Sequence, residues 1–196
     1  MRWTGLNGSI HQEGTTSRLF HAAGEVLRGA GDEATLLDLA SLEVEDCRGC
    51  YRCKTEPRCP QYDDMNDIAE GIARSDALVL STPIYLSQCT ALLKRPMERL
   101  IRFRKKDGSA AFKKPAFLIV TQGNGEDDGQ VSAYLEIFTA SAARVGISVT
   151  HVFRVGSCFP GNSIDTRPEI LSRCREEMMS FRNGLLAHRA TTTRAG

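Results

Sequence analysis

The sequence lacks any apolar run long enough to cross a bilayer, which excludes a membrane-spanning helix. No basic segment followed by an apolar one opens it, so the reading is a chain without a secretory leader, working in the cytoplasm. It has almost no net charge: 25 Lys and Arg against 24 Asp and Glu leave +1, and no global field favours nucleic acid or an acidic surface as partner. Internal repeats and low-complexity segments are absent, as are a Gly-x-Gly-x-x-Gly dinucleotide fingerprint and a Walker loop with its lysine. The one dense basic cluster, Arg99, Arg102, Arg104, Lys105 and Lys106, falls at the end of a predicted helix and reads as a solvated face complementing the helix dipole. A chain of 196 residues with 41% hydrophobic content suits one core, hence a single domain over residues 1–190, with the small polar segment 191–196 as a frayed tail.

What the chain does have is cysteine, seven in all, and four of them lie in the run DCRGCYRCKTEPRCP. Cys47, Cys50, Cys53 and Cys59 follow a Cys-x2-Cys-x2-Cys-x5-Cys pattern, with Pro60 after the last. Thiolates this close in sequence can converge on one centre. The pattern is in the style of iron–sulfur ligation, although the ferredoxin version has three residues before its last cysteine. Four thiolates also satisfy tetrahedral zinc, and one Cys-x-x-Cys pair could form a redox disulfide. A loop of free thiols is the remaining reading, and the spacing alone leaves these open. An odd cysteine count in a chain without a leader points to a reducing compartment rather than a disulfide framework.

Strand-like and helix-like segments alternate along the chain. Strands are predicted at 2–6, 35–39, 77–81, 115–121 and 147–155, the third stopped by Thr82 and Pro83. Helices are predicted between them, one capped by Thr15, Thr16 or Ser17 and another by Asp63 and Asp64. A third passes through Leu92 and Ile101, a fourth runs from near Asp128 to Arg144, and a last one opens on a Thr166-x-x-Glu169 capping box. Five strands joined by helical crossovers specify an α/β fold, a doubly wound parallel sheet of flavodoxin-like order 2-1-3-4-5. Ligands then bind beyond the carboxyl ends of the strands, at the switch point between strands one and three.

The loops at that switch point have unusual composition. After strand one, LNGSIHQEGTTS sets Ser9, His11, Thr15, Thr16 and Ser17 beside a helix start, a place for a phosphate. After strand three, Pro83, Ile84, Tyr85 and Leu86 put an apolar and aromatic wall where a polar turn is expected. After strand four, Thr121, Gln122, Gly123 and Asn124 bring amides and flexible backbone to the edge of a flat polar ring.

NGSIHQEGTTS, CRGCYRCKTEPRCPQYDDM and TPIYLSQCTALLKRPMER, in that order, resemble the iron–sulfur flavoproteins and related NAD(P)H-dependent FMN reductases. The resemblance extends to about Val155. It implies FMN on the three loops named above, a [4Fe-4S] cluster on Cys47, Cys50, Cys53 and Cys59, NAD(P)H as co-substrate and a homodimer or homotetramer. It further implies an oxidoreductase in which a nicotinamide delivers hydride to the flavin, or a ferredoxin-type donor feeds the cluster. Electrons then pass to a flavin, quinone or other acceptor, and no side chain acts as acid or base because the cofactor carries the chemistry. The chain departs from the family pattern at Ile10 and His11, which replace a Pro-Arg pair, so a guanidinium contact to phosphate is missing. A phosphatase reading on Cys89 and Arg95 fails because the intervening residues contain no glycine for an anion cradle. A non-enzymatic flavin- or zinc-containing redox sensor acting on a protein partner is the alternative, although no recognition tail or DNA-binding helix is visible.

Overall fold

The computed structural model describes residues 1–194. The strands are β1 (Arg2–Asn7), β2 (Glu33–Asp38), β3 (Ala77–Tyr85), β4 (Gln88–Cys89), β5 (Lys114–Thr121) and β6 (Ile147–Val155). The helices are α1 (Thr15–Gly29), α2 (Met65–Arg74), α3 (Ala91–Arg99), α4 (Gly129–Ala143) and α5 (Glu169–Arg194). Five strands pair in parallel in the order β2-β1-β3-β5-β6, the doubly wound order expected. The two-residue β4, not foreseen, adds a short antiparallel hairpin to the end of β3.

The sheet buries both faces, which is why its central strands are almost uninterruptedly apolar. On one side Leu78, Leu80, Leu118 and Val120 pack with Ile68 and Ile72 of α2, Leu93 of α3 and Phe138 of α4. On the other, Trp3, Val79, Phe117 and Phe153 pack with Leu19, Phe20 and Leu27 of α1 and Cys174 and Met178 of α5. Helix α5 is tied to the start of β2 by Arg182, which donates to both Asp32 carboxylate oxygens at 2.7 and 3.0 Å. Residues 191–194 form the last turn of α5 rather than a tail, with the Thr191 hydroxyl bonded to the His188 carbonyl; residues 195 and 196 lie outside the described residues.

Several local expectations are corrected. Thr82 and Pro83 do not end β3, which runs on to Tyr85. Its pairing with β1 stops at Ser81 and its pairing with β4 begins at Ile84, so Pro83 falls where β1 no longer pairs and a residue without an N–H is tolerated. No hydroxyl caps α1, whose cap position is Gly14. Asp64 does not cap α2 but accepts from the Glu43 amide, and Asp63 accepts from Glu45 and Met65. These contacts close the neck of the cysteine loop. The Thr166 hydroxyl donates to the Ser163 carbonyl, so the predicted capping box is not made.

Candidate functional site

Asn7, the last residue of β1, ties the carboxyl edge of the sheet together. Its amide nitrogen donates to Ser17 Oγ at 2.9 Å and Asp38 Oδ1 at 2.8 Å, while its oxygen accepts from Ser81 Oγ at 2.7 Å and the Ser9 amide at 3.2 Å. One side chain thus joins the ends of β1 and β2 and the middle of β3 to the start of α1. Gly8 follows, its N–H bonded to the Ser81 carbonyl at 2.8 Å. A Cβ at this position would lie 2.8 Å from Leu93 Cβ, so the close approach requires glycine.

The loop then turns at His11, whose carbonyl accepts from the Gly14 amide and from the hydroxyls of Ser9 and Ser17. Those two hydroxyls, which the sequence assigned to a phosphate, are buried and bonded to the loop's own backbone. Because no side chain caps α1, its first-turn amides at Thr15, Thr16 and Ser17 are left to an anion, and the helix dipole favours one. Thr16 shares a 2.6 Å hydrogen bond with Thr121 at the end of β5, fixing the two loops relative to each other.

These elements frame a cavity of about 540 Å³ at the carboxyl ends of β1, β3 and β5, within the size range of small-ligand sites. Of the predicted residues, His11, Thr15, Thr16, Pro83, Ile84, Tyr85, Thr121, Gln122 and Gly123 line it. Leu86 and Asn124 do not. Leu86 projects from the tip of the β3–β4 hairpin, almost wholly exposed. The Asn124 side chain instead bonds Asp128 at 2.6 Å. The Gln122 amide, expected to meet a ligand, is bonded at both ends within the protein, to Arg154 Nε and the Gly125 carbonyl. Its contribution to the cavity is therefore wall and backbone.

The segment after β6 was missed. Cys158, Phe159, Pro160, Ser163, Ile164 and Asp165 close the far side of the cavity. Asp165 pairs with Arg18 of α1, and Arg167 binds the Gly156 and Ser157 carbonyls, so the segment is fixed from both sides. The available signal was the run GSCFPGNS directly after a strand, with turn residues flanking a phenylalanine.

The cysteine loop lies apart from this cavity, between β2 and α2. Cys47, Cys50, Cys53 and Cys59 together line a second cavity of about 280 Å³, shared with Tyr51, Gln61, Glu98, Arg99 and Ile101. Gly49 and Tyr51 take left-handed backbone, turning the chain around it. Cys53 is partly buried, and that burial pushes its thiol up from the ordinary range. Among the described residues no three His, Cys, Asp or Glu gather closely enough to hold a single metal ion.

The basic cluster is only in part the solvated face expected: Lys105 and Lys106 are exposed, but Arg99 and Arg102 are engaged with the cysteine loop. Arg99 is 4% exposed and pairs with the buried Asp63 side chain. Its Nη2 donates to Cys59 Sγ at 3.3 Å, and its buried Nε has no partner. Arg102 binds Asn66 and the Pro57 carbonyl, and the Arg104 and Ile101 carbonyls accept from Lys54. At the end of α3, Arg99 and Arg102 thus dock the cysteine loop.

Residues 1–155 match the family model described as NADPH-dependent FMN reductase. The chain belongs to that family. Among similar proteins, an iron–sulfur flavoprotein of Methanocaldococcus jannaschii is 34% identical over 99 residues, 50% of this chain and 51% of its own length. An iron–sulfur flavoprotein of Methanosarcina thermophila is 29% identical over 130 residues, 66% of this chain and 67% of its own length. The match thus spans about half the length of the first relative and two thirds of the second. Among solved structures, an NAD(P)H:quinone oxidoreductase from Methanothermobacter marburgensis aligns with a TM-score of 0.73 at 22% identity, covering 91% of this chain and 94% of that one. An azoreductase from Bacillus anthracis aligns with a TM-score of 0.71 at 14% identity, covering 94% and 99%. At such identities the likeness establishes the flavodoxin-like fold. No helix among the described residues is long and apolar enough to cross a membrane.

Proposed function

We propose that this protein is an FMN-dependent oxidoreductase that takes reducing equivalents from NAD(P)H and passes them to a flavin, quinone or similar acceptor. The observation that carries the reading is the uncapped start of α1 opening onto the cavity at the switch point of a sheet whose family is that of FMN reductases. The amides at Thr15, Thr16 and Ser17 would hold the phosphate. Pro83, Ile84 and Tyr85 would wall the ring, and the backbone at Gln122 and Gly123 would meet its polar edge. FMN, when bound, supplies the exchange of one or two electrons. The protein binds it, orients it and covers it with the segment 158–165.

The cysteine cavity is read as the seat of an iron–sulfur cluster fed by a one-electron donor. Thiolates of a cluster bind different irons, so they line a cavity rather than converge on a point, in keeping with the arrangement of the four cysteines here. Arg99 lines the cavity and already donates from Nη2 to Cys59 Sγ at 3.3 Å, a contact that suits a sulfur-rich occupant. From the family resemblance we infer a homodimer or homotetramer in the cytoplasm. The exposed Ile10, Tyr85, Leu86 and Phe159 offer such an assembly an apolar surface.

The test is anaerobic purification with flavin, iron and acid-labile sulfide analysis, followed by titration of the flavin-free protein with FMN. Saturable FMN binding, with NAD(P)H oxidation that depends on an added acceptor, is the expected result. Failure to bind FMN overturns the flavin reading, and protein free of iron overturns the cluster.

A further inference from the structure

We propose that Arg99 sets the reduction potential of the cluster, acting as a charged hydrogen-bond donor from the wall of the cysteine cavity. The inference rests on the reading that this cavity holds a cluster. A guanidinium at 4% exposure is uncommon, and three of its contacts explain why it is there. Asp63 compensates its charge. The Glu45 carbonyl accepts from Nη1 at 3.2 Å, and Cys59 Sγ accepts from Nη2 at 3.3 Å. Nε is left buried without an acceptor, a state that ordinarily destabilises a fold.

Of the four loop cysteines, Cys59 is the one whose backbone is tied to α2 by a side chain. Asn66 of α2 brackets it, accepting from the Cys59 amide at 2.9 Å and donating to its carbonyl at 3.0 Å. Arg102 Nη1 in turn holds Asn66 Oδ1 at 3.1 Å. Cys47 and Cys50, by contrast, sit on exposed loop. Arg99 therefore acts on the cluster through a sulfur whose position is already set.

The direction follows from charge. One-electron reduction, with the electron taken from the reductant in solution, adds one negative charge to the cluster and leaves its bonds in place. Donors and positive charge beside the sulfurs stabilise the reduced form, so Arg99 raises the potential.

The experiment is a mediated dithionite titration of anaerobically produced protein, followed by electron paramagnetic resonance. It compares the parent with Asp63→Asn, Arg99→Lys and the double variant Arg99→Gln, Asp63→Asn, which leaves no buried carboxylate unpaired. Removing the guanidinium should make reduction at least about tenfold less favourable in the double variant than in Asp63→Asn, a shift of about 59 mV to lower potential for one electron. Arg99→Lys should retain part of the effect. Asp63→Asn, which leaves Arg99 uncompensated, should shift the midpoint upward. A double variant that keeps its iron and titrates with the midpoint of Asp63→Asn overturns the inference alone, leaving Arg99 a structural residue. If the double variant cannot hold iron, an unmoved midpoint in Asp63→Asn overturns it equally. Parent protein without iron and sulfide overturns both this inference and the cluster.

Discussion

Asp32 stands at the junction of β1, β2 and α5, and its carboxylate carries a stability that acid should remove. Its side chain is almost wholly buried, which by itself would raise its pKa. Hydrogen bonds from Arg182, the N-terminal ammonium and Trp3 Nε1 outweigh that burial and hold it down to about 2, against 3.8 for a free aspartate. A folded-state pKa below the unfolded one stabilises the fold fully well above the unfolded value, and the contribution disappears as the pH falls through the folded value. The difference corresponds to about 2 kcal/mol at neutral pH, with most of it lost between about pH 4 and pH 2 and about a sixth remaining at pH 2. Other paired carboxylates, Asp63 and Asp76 among them, are also held below the ordinary aspartate range, so the parent alone cannot report on Asp32. The measurement is urea unfolding of the parent and of Asp32→Asn at a series of pH values, read as the difference between the two. That difference should be constant from neutral pH to about 5 and then shrink by about 2 kcal/mol toward pH 2. A difference that stays flat across the acid range would refute the assignment.

Tyr85→Ala should weaken FMN binding about tenfold by removing an aromatic face from the cavity wall; a fluorescence titration giving the parent's affinity would remove Tyr85 from the site. Thr16→Val leaves the buried Thr121 hydroxyl without its 2.6 Å partner and should lower stability by about 1–3 kcal/mol in chemical denaturation. Gly8→Ala drives a Cβ to 2.8 Å from Leu93 Cβ and 3.1 Å from the Ser81 carbonyl. It should cost about 1–3 kcal/mol and loosen FMN by displacing the phosphate loop, and a thermal melt matching the parent's would argue against it. Ser87→Gly relieves left-handed backbone at φ 60 in the β3–β4 turn and should stabilise by up to about 1 kcal/mol, since the bond it loses, to Gln130, is exposed.

The strand order was legible because burial on both faces writes long apolar runs into β3 and β5, and the crossover rules then leave few topologies. The three loops of the cavity were legible for a related reason: Tyr85 and the hydroxyl-rich start of α1 are odd residues for ordinary turns. The hydroxyls themselves were less legible. Composition cannot say whether a serine faces a ligand or its own loop, and Ser9 and Ser17 point their bonds at the His11 carbonyl.

By itself the sequence determined the alternating elements, the sheet they form and the four cysteines spaced to meet, because these depend on local periodicity and short separations. Only the tertiary structure decided which distant residues complete the sites. The segment 158–165 reaches the cavity because β6 ends at the same edge of the sheet as β1, β3 and β5. Arg99 becomes the wall of the cysteine cavity because α3 packs beside the closed neck of that loop, where a buried carboxylate from Asp63 makes a buried guanidinium tolerable. Charge in a sequence is silent about its partner, and here the partner lies 36 residues away along the chain.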